Sequence, residues 1–268
     1  MGERQLDLFS ATGIPPESDC RPDLGRQELA PADLDNDALI AAIPWAGRVD
    51  APALAAEAGR RGLVGAVPAL EQLCMRFAGF GLERAVPEQV AALQALALVG
   101  GSEAAQAVAR LIAKDVVQGP TRKVAVGVAA HLKSALPAET VLALLQQADP
   151  DVRADACRCT GPWPAAVPVL LDLTGDSHSN VSASAFCALG RMGRREARPA
   201  LARLLRDAPS LEVIDAIPTI ADEDCVVLLG RIVRTQLTLA GAALDALEMI
   251  DHPRARQIVA AMTAARNG

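Results

Sequence analysis

The sequence predicts an all-α protein built as a solenoid of stacked helix pairs, and three observations predict this fold. First, 51% of the residues are apolar but only 2% are aromatic, so Ala, Leu and Val supply the core. Such a composition favours closely packed helices over sheets. Second, Gly, Pro and Asp-Pro separate Ala/Leu segments from residue 34 onward, and these segments have the length of ordinary helices. Third, one short pattern recurs along the chain.

The recurring pattern places Pro in the fourth position of a six-residue segment that ends in Leu. It occurs at residues 65–70, 165–170 and 196–201. Proline is tolerated in the first turn of a helix, because the N–H group that it lacks has no intrahelical partner there. Each copy therefore predicts the start of the second helix of a pair.

A further helix precedes each of the last two copies. The first opens at Asp149-Pro150 and the second at Ser179-Asn180, so Asp149 and Ser179 are predicted to cap the free N–H groups. Aligned on these marks, the chain divides into about seven helix pairs. The first helices of the pairs are predicted to begin near Val49, Pro87, Thr121, Pro150, Ser179, Ser210 and Gln236.

The amino-terminal segment differs from the rest in composition and charge. Residues 10–33 contain several prolines and no helical or strand period, which predicts a flexible linker. Residues 1–50 hold ten acidic residues against four Arg, which equals the whole net charge of −6. We therefore predict a disordered tail over 1–33 and a helical solenoid over 34–268, of which residues 51–268 are neutral overall.

Two segments of the solenoid, 149–173 and 180–207, resemble units of the HEAT-repeat family and of its phycobiliprotein-lyase-like variety. Both combine a helix rich in Ala and Cys with a second helix that begins at the proline pattern. The resemblance extends over about residues 50–265 and implies a right-handed α-solenoid. It implies little about function, because such solenoids serve many unrelated tasks. An irregular Ala-rich bundle is the alternative.

The most specific motif precedes the repeats, at Gln5-Leu6-Asp7-Leu8-Phe9. It resembles the bacterial sliding-clamp-binding pentapeptide, whose pattern is Gln-Leu-Ser/Asp-Leu-Phe, and every position matches. The resemblance implies that the DNA polymerase sliding clamp is a partner. Gln5 would bind a polar subsite, while Leu8 and Phe9 would enter an apolar pocket.

The predicted linker would let the solenoid sit beside the clamp and still reach a second partner. About 24 flexible residues give a root-mean-square reach of roughly 27 Å. An alternative needs no clamp, because Leu6, Leu8 and Phe9 could instead fold back and cover the open end of the first repeat.

One basic stretch is a second candidate site. It could align with Arg231, Arg234, Arg254 and Arg256 of later repeats into a stripe that suits a nucleic-acid backbone or an acidic partner. Acidic residues follow at once, including Glu212, Asp222 and Glu223, so a solvated, salt-bridged face is the alternative. The candidate residues are Arg191, Arg194, Arg195, Arg198, Arg203 and Arg206.

Residues for catalysis or metal binding are not visible as a pattern. His131, His178 and His252 are isolated, and no metal-ligand spacing or phosphate loop occurs. Trp163 is interpreted as a local packing plug. The sequence therefore predicts no enzyme activity, no cofactor, no metal and no small-molecule substrate. The cysteines are predicted to be small core residues in a reducing compartment, and they are Cys20, Cys74, Cys157, Cys159, Cys187 and Cys225.

These observations lead to three functional hypotheses for a cytoplasmic protein, since no signal peptide or membrane span is expected. The first is a non-catalytic adaptor that docks on the clamp and presents the solenoid to a DNA replication or repair partner, or to DNA. The second is a clamp-recruited, HEAT-like DNA repair enzyme of the glycosylase type. The third is a protein-interaction scaffold unrelated to replication.

Overall fold

The computed structural model describes residues 30–267 of the chain, and the side chains of residues 30–264. Over this range the protein is all-helical, with fifteen α-helices and no strand. The fold class that the sequence predicts is therefore confirmed. The predicted tail lies almost wholly outside the described range, so its boundary with the solenoid stays a prediction.

Seven helix pairs follow a short first helix, α1 (Asn36–Ala42). The first helices of the pairs are α2 (Ala51–Arg60), α4 (Pro87–Val99), α6 (Gly119–His131), α8 (Pro150–Arg158), α10 (Ser179–Arg191), α12 (Leu211–Asp215) and α14 (Leu237–Met249). The second helices are α3 (Val67–Arg76), α5 (Gly101–Ala113), α7 (Ala138–Leu145), α9 (Ala166–Leu173), α11 (Arg198–Asp207), α13 (Glu223–Thr235) and α15 (Pro253–Asn267). All seven first helices begin within two residues of the predicted positions.

The helices form two layers. The first helices pack on one another in chain order from α2 to α14, and several second helices do the same, among them α3 on α5 and α11 on α13. Each pair thus contacts mainly its neighbours along the chain, as in other repeat proteins. Small residues permit this close stacking: a Cβ atom at Gly59 would be tightly packed, 3.0 Å from Leu98 Cδ1 on the next first helix.

Most helix starts carry the residues from which the sequence analysis predicts them, a proline in the first turn or a capping side chain. Pro68, Pro168 and Pro199 all lie in the first turn of a second helix. Asp149 caps α8, because its Oδ1 accepts hydrogen bonds from Asp151 N at 2.8 Å and Val152 N at 3.4 Å.

The predicted cap at Ser179 is wrong. Ser179 is the first helical residue of α10, and His178 precedes it without a side-chain cap. Asp176 Oδ1 instead accepts a hydrogen bond from His178 N at 2.9 Å, which holds the turn before the helix. A carboxylate two residues upstream therefore replaces the hydroxyl as the local acceptor.

One arginine fixes the entry of the chain into the solenoid. Arg61, at the end of α2, donates hydrogen bonds to Leu34 O at 2.8 Å and Ala32 O at 3.0 Å. Glu57 orients Arg61 through an ion pair of 2.6 Å. Hydrogen bonds from Arg60 and then Arg61 lower the pKa of the Glu57 carboxyl from its ordinary 4.5 to about 2.

The core is continuous from the first pair to the last and consists mainly of Ala, Leu, Val and Ile. The cysteines of the described range lie in this core as predicted, with free thiols; they are Cys74, Cys157, Cys159, Cys187 and Cys225. Cys20 lies outside the range. Among the helices described, none combines the length and the hydropathy that crossing a membrane requires.

Candidate binding groove

A groove of about 890 Å³ opens where the carboxyl ends of α6, α8 and α10 approach α12 and α14. The turns that follow α6 and α8 form one side of the groove, and the bodies of α12 and α14 form the other. This volume lies within the range of ligand-binding clefts in proteins.

The groove exists because α12 is short. It has five residues, whereas its neighbours in the first-helix layer, α10 and α14, have thirteen each. Pro218 ends the helix early, because a proline disfavours helical backbone in the residue before it and cannot donate a backbone hydrogen bond. Pro218 itself lines the groove.

Trp163 is the aromatic side chain of the groove. It follows α8 in the segment Gly161-Pro162-Trp163-Pro164, and its backbone N–H donates to Gly161 O at 2.8 Å. The indole covers Gly161 so closely that a Cβ atom there would lie 2.8 Å from Trp163 Cζ2. The ring packs against the core with one part and lines the groove with another. It is therefore a packing residue, as the sequence suggests, and it also lines the groove.

An ion network joins the two sides of the groove. Arg158 at the end of α8 pairs with Asp155 Oδ1 at 2.6 Å and with Glu212 Oε2 of α12 at 2.9 Å. Burial raises the pKa of the Asp155 carboxyl, and the nearby Arg158 opposes that shift. The network therefore connects α8 to α12.

Two polar atoms at the groove are buried and have no hydrogen-bond partner within the described residues. They are Glu212 Oε1 and Ser134 Oγ. Ser134 is only 3% exposed and lies in the turn after α6. Buried polar atoms in native proteins nearly always have partners, so each of these atoms can still accept or donate one hydrogen bond.

Arg191, the last residue of α10, is a half-buried cation of the groove. Its Nη2 donates to Cys157 O at 3.0 Å. It makes no ion pair with a carboxylate in residues 30–264, and neither does Lys133 in the turn after α6. Two positive groups on this side are thus not neutralised by the described side chains.

The structure separates the arginines of the basic stretch into groups. Arg191 lines the groove, whereas Arg194 pairs with Glu196 at 2.7 Å. Arg198 donates to Ile220 O at 2.7 Å and lies 3.5 Å from Asp222. These contacts fit the salt-bridged alternative for two of the six residues.

The remaining three residues, Arg195, Arg203 and Arg206, are exposed and make no ion pair within the described chain. Arg206 on α11 and Arg231 on α13 line one small cavity of about 50 Å³. Two arginines from successive repeats therefore lie together, as a stripe would require. The pentapeptide Gln5–Phe9 lies outside the described residues.

Sequence reasoning missed the groove itself. Arg158 and Glu212 are far apart in the sequence, and Glu212 looks like one member of an acidic cluster that neutralises the basic stretch. Trp163 offered the best available signal, because Trp occurs only twice in the chain. Over the described range, no group of three or more His, Cys, Asp and Glu side chains could hold a metal ion.

The fold and the groove define an α-solenoid of helix pairs with a cleft in its first-helix layer. Residues 138–221 match the family model described as HEAT repeats, which confirms for this segment the family that the sequence resembles. No curated protein matches the chain.

Among solved structures, the chain is similar to the complex of CpcE and CpcF of phycocyanin lyase from Nostoc sp. PCC7120. The TM-score is 0.47 and the sequence identity is 18%, over 90% of this chain and 98% of that chain.

Proposed function

We propose that this protein is a non-catalytic adaptor of bacterial DNA replication or repair. In this proposal, residues 5–9 bind the DNA polymerase sliding clamp, and the solenoid holds a second macromolecule in the cytoplasm. The observation that carries the proposal is the sequence Gln5-Leu6-Asp7-Leu8-Phe9, which matches the clamp-binding pattern at every position. HEAT repeats over residues 138–221 support the scaffold part, because stacked repeats commonly form extended binding surfaces.

A peptide of residues 1–14 tests the clamp part directly. We expect it to bind purified clamp with roughly micromolar affinity, because few side chains are buried and the ordering of the peptide offsets part of the gain. Replacing both Leu8 and Phe9 by Ala should abolish binding, and Gln5→Ala should weaken it by leaving a polar subsite unpaired. Isothermal titration calorimetry gives the affinities.

Asp7→Ser is the matched control, since both residues fit the pattern and affinity should stay the same. The same substitutions in the full chain, in a pull-down on immobilised clamp, must give the same order. Binding of the Leu8→Ala, Phe9→Ala double variant as tight as that of the native chain would refute clamp docking. It would leave the scaffold unrelated to replication as the better hypothesis.

The second macromolecule could be DNA. In that case Arg195, Arg203 and Arg206 would bind it. If these side chains bind phosphates, affinity should be insensitive to DNA sequence, and the removal of each arginine should reduce the salt dependence of the affinity by about one unit of slope. Changing all three to Glu should therefore weaken duplex binding steeply in low salt, measured by fluorescence anisotropy. The paired Arg194 is the control, and an unchanged affinity in the triple variant would exclude this surface.

A clamp-recruited repair enzyme is the second candidate function. One observation favours it: Trp163 lines the same groove as Glu212, whose Oε1 has no hydrogen-bond partner among the described residues. An aromatic surface and a carboxylate are what excision of an extruded base needs. Release of damaged bases from duplex DNA by the pure protein, abolished in Glu212→Gln, would replace the adaptor by this enzyme.

A further inference from the structure

The two sides of the groove carry opposite charge. Glu212, Asp215 and Asp245 lie on α12 and α14, while Lys133 and Arg191 lie at the ends of the helices opposite. Arg158 pairs with both Asp155 and Glu212, so these three groups together retain one negative charge on the acidic side. A ligand with charge of a single sign would therefore be attracted by one side of the groove and repelled by the other.

Apolar side chains line both sides of the groove. Leu211 is 60% exposed and Met249 is 72% exposed, and both line the groove together with Trp163 and Pro162. Large apolar side chains that stay exposed beside one another are typical of interaction sites. Trp and Met are also the residue types that protein interfaces favour.

The buried Glu212 Oε1 and Ser134 Oγ add specific requirements. Glu212 Oε1 can only accept, so it requires an N–H or O–H donor. Ser134 Oγ can donate or accept. Backbone amides and basic side chains of a peptide provide such donors, and backbone carbonyls provide acceptors.

We propose that this groove binds a short peptide segment of a partner protein. Its apolar centre packs on Trp163, Leu211 and Met249, a basic side chain faces Glu212 and Asp245, and an acidic side chain faces Arg191. The inference rests on the adaptor proposal and describes its second partner. Charge complementarity favours a peptide over a nucleic acid, whose phosphates would meet the carboxylates of α12 and α14.

The chain offers its own fluorescent reporter for this interaction. It has two Trp and no Tyr, so Trp45→Phe leaves Trp163 as the source of tryptophan emission. Trp45 is 74% exposed, so its replacement should leave the fold intact. A ligand that packs on Trp163 should shift or quench this emission.

The probe is a random dodecapeptide library displayed on phage, selected on the immobilised full chain with Trp45→Phe. Enriched peptides should share apolar residues flanked by one basic and one acidic residue. Synthetic copies should change Trp163 emission on titration. Asp245→Asn should weaken their binding about tenfold and Arg191→Met by a similar factor, as expected when a charge-assisted hydrogen bond is removed. Glu212→Gln should also weaken binding, but it disturbs the ion pair with Arg158 as well. Asp245→Asn has no such side effect, because Asp245 makes no ion pair within residues 30–264.

Asp224→Asn on α13 and Arg203→Met on α11 are matched controls outside the groove, and neither should change the affinity. The proposal is overturned if no peptide is enriched, if the enriched peptides carry charge of one sign only, or if Trp163→Ala binds them equally well. It is also overturned if duplex DNA changes Trp163 emission and the peptides do not. The clamp is absent from this experiment, and the peptide library is absent from the clamp titration, so the failure of either proposal is seen separately.

Discussion

At the scale of single residues, Gln89 shows how one buried amide connects two helix pairs. Gln89 lies on α4 and is completely buried. Its Nε2 donates to three carbonyl groups, Cys74 O at 3.0 Å, Phe77 O at 3.2 Å and Val116 O at 3.2 Å. These carbonyls lie at the carboxyl ends of α3 and α5 or just beyond. Cys74 O and Phe77 O also accept backbone hydrogen bonds, from Phe77 N at 3.2 Å and from Phe80 N at 3.1 Å, so Val116 O depends most on Gln89.

We expect Gln89→Leu to lower the free energy of unfolding by about 1–3 kcal/mol, because Val116 O loses its donor and Cys74 O and Phe77 O each lose one of two donors. Urea denaturation followed by circular dichroism measures the change. Gln94→Leu is the control on the same helix, since Gln94 is exposed, and it should stay within about 0.5 kcal/mol of the native chain. Equal effects of the two substitutions would show that the three hydrogen bonds contribute nothing.

Individual side chains could be predicted from the sequence only where the rule is local. The prolines of the second helices and the cap at Asp149 depend on a few adjacent residues, and they are confirmed. Gln89 reads as an ordinary helical surface residue, because nothing near it in the sequence shows that three carbonyls converge on it. The pair of Arg158 with Glu212 depends on the stacking of α8, α10 and α12, which no local pattern encodes.

At the scale of helices, glycines determine how closely neighbours approach. Gly190, near the end of α10, is a position of this kind. A Cβ atom there would lie 2.6 Å from Leu201 Cδ1 on α11 and 2.7 Å from Ala216 O after α12. Three elements therefore meet at a position where only a hydrogen atom fits.

Gly190→Ala should destabilise the protein by about 1–3 kcal/mol, because the backbone carbonyl of Ala216 cannot move aside as a side chain could. Gly241→Ala on α14 is the control with the opposite expected sign, since a Cβ atom at position 241 would have no atom within 4 Å. It should stabilise the protein by about 0.5–1 kcal/mol through helix propensity. Differential scanning calorimetry of both variants is the measurement, and the same sign of change for both would contradict this explanation.

The helix starts were predictable to within two residues because Pro, Asp and Gly mark them chemically. The lengths were less predictable. The Leu211–Asp215 helix reads from its start as an ordinary member of the series, and its shortness follows from Pro218 together with the packing of its neighbours. Since this shortness opens the groove, the groove could not be inferred from the repeats alone.

At the scale of the whole molecule, the contacts of each pair with its neighbours imply that stability is close to a sum of local terms. The ends of such an array have one neighbour each, so what covers the first pair matters. Residues 30–35 do part of this, through the hydrogen bonds from Arg61 to Ala32 O and Leu34 O.

Removing residues 1–29 should leave the melting temperature of the helical body unchanged within about 1 °C, if residues 5–9 serve the clamp and not the core. Removing residues 1–35 is the contrasting variant. It should lower the melting temperature by several degrees, because Arg61 loses its backbone acceptors in residues 31–34 and α1 loses the cap that Asp35 provides to Ala38 N. A drop of several degrees already in the shorter deletion would favour the alternative in which Leu8 and Phe9 cover the first repeat.

The buried thiols can also report which repeats of the solenoid open locally. Burial raises the pKa of Cys74, Cys157 and Cys187 to about 12 and that of Cys225 to about 11, so none of them forms a reactive thiolate while its repeat is closed. Each lies in a different stretch of the solenoid, on α3, α8, α10 and α13. With Cys20 replaced by Ser, the order in which a maleimide modifies these positions would report which repeats open first, at a resolution of one helix pair.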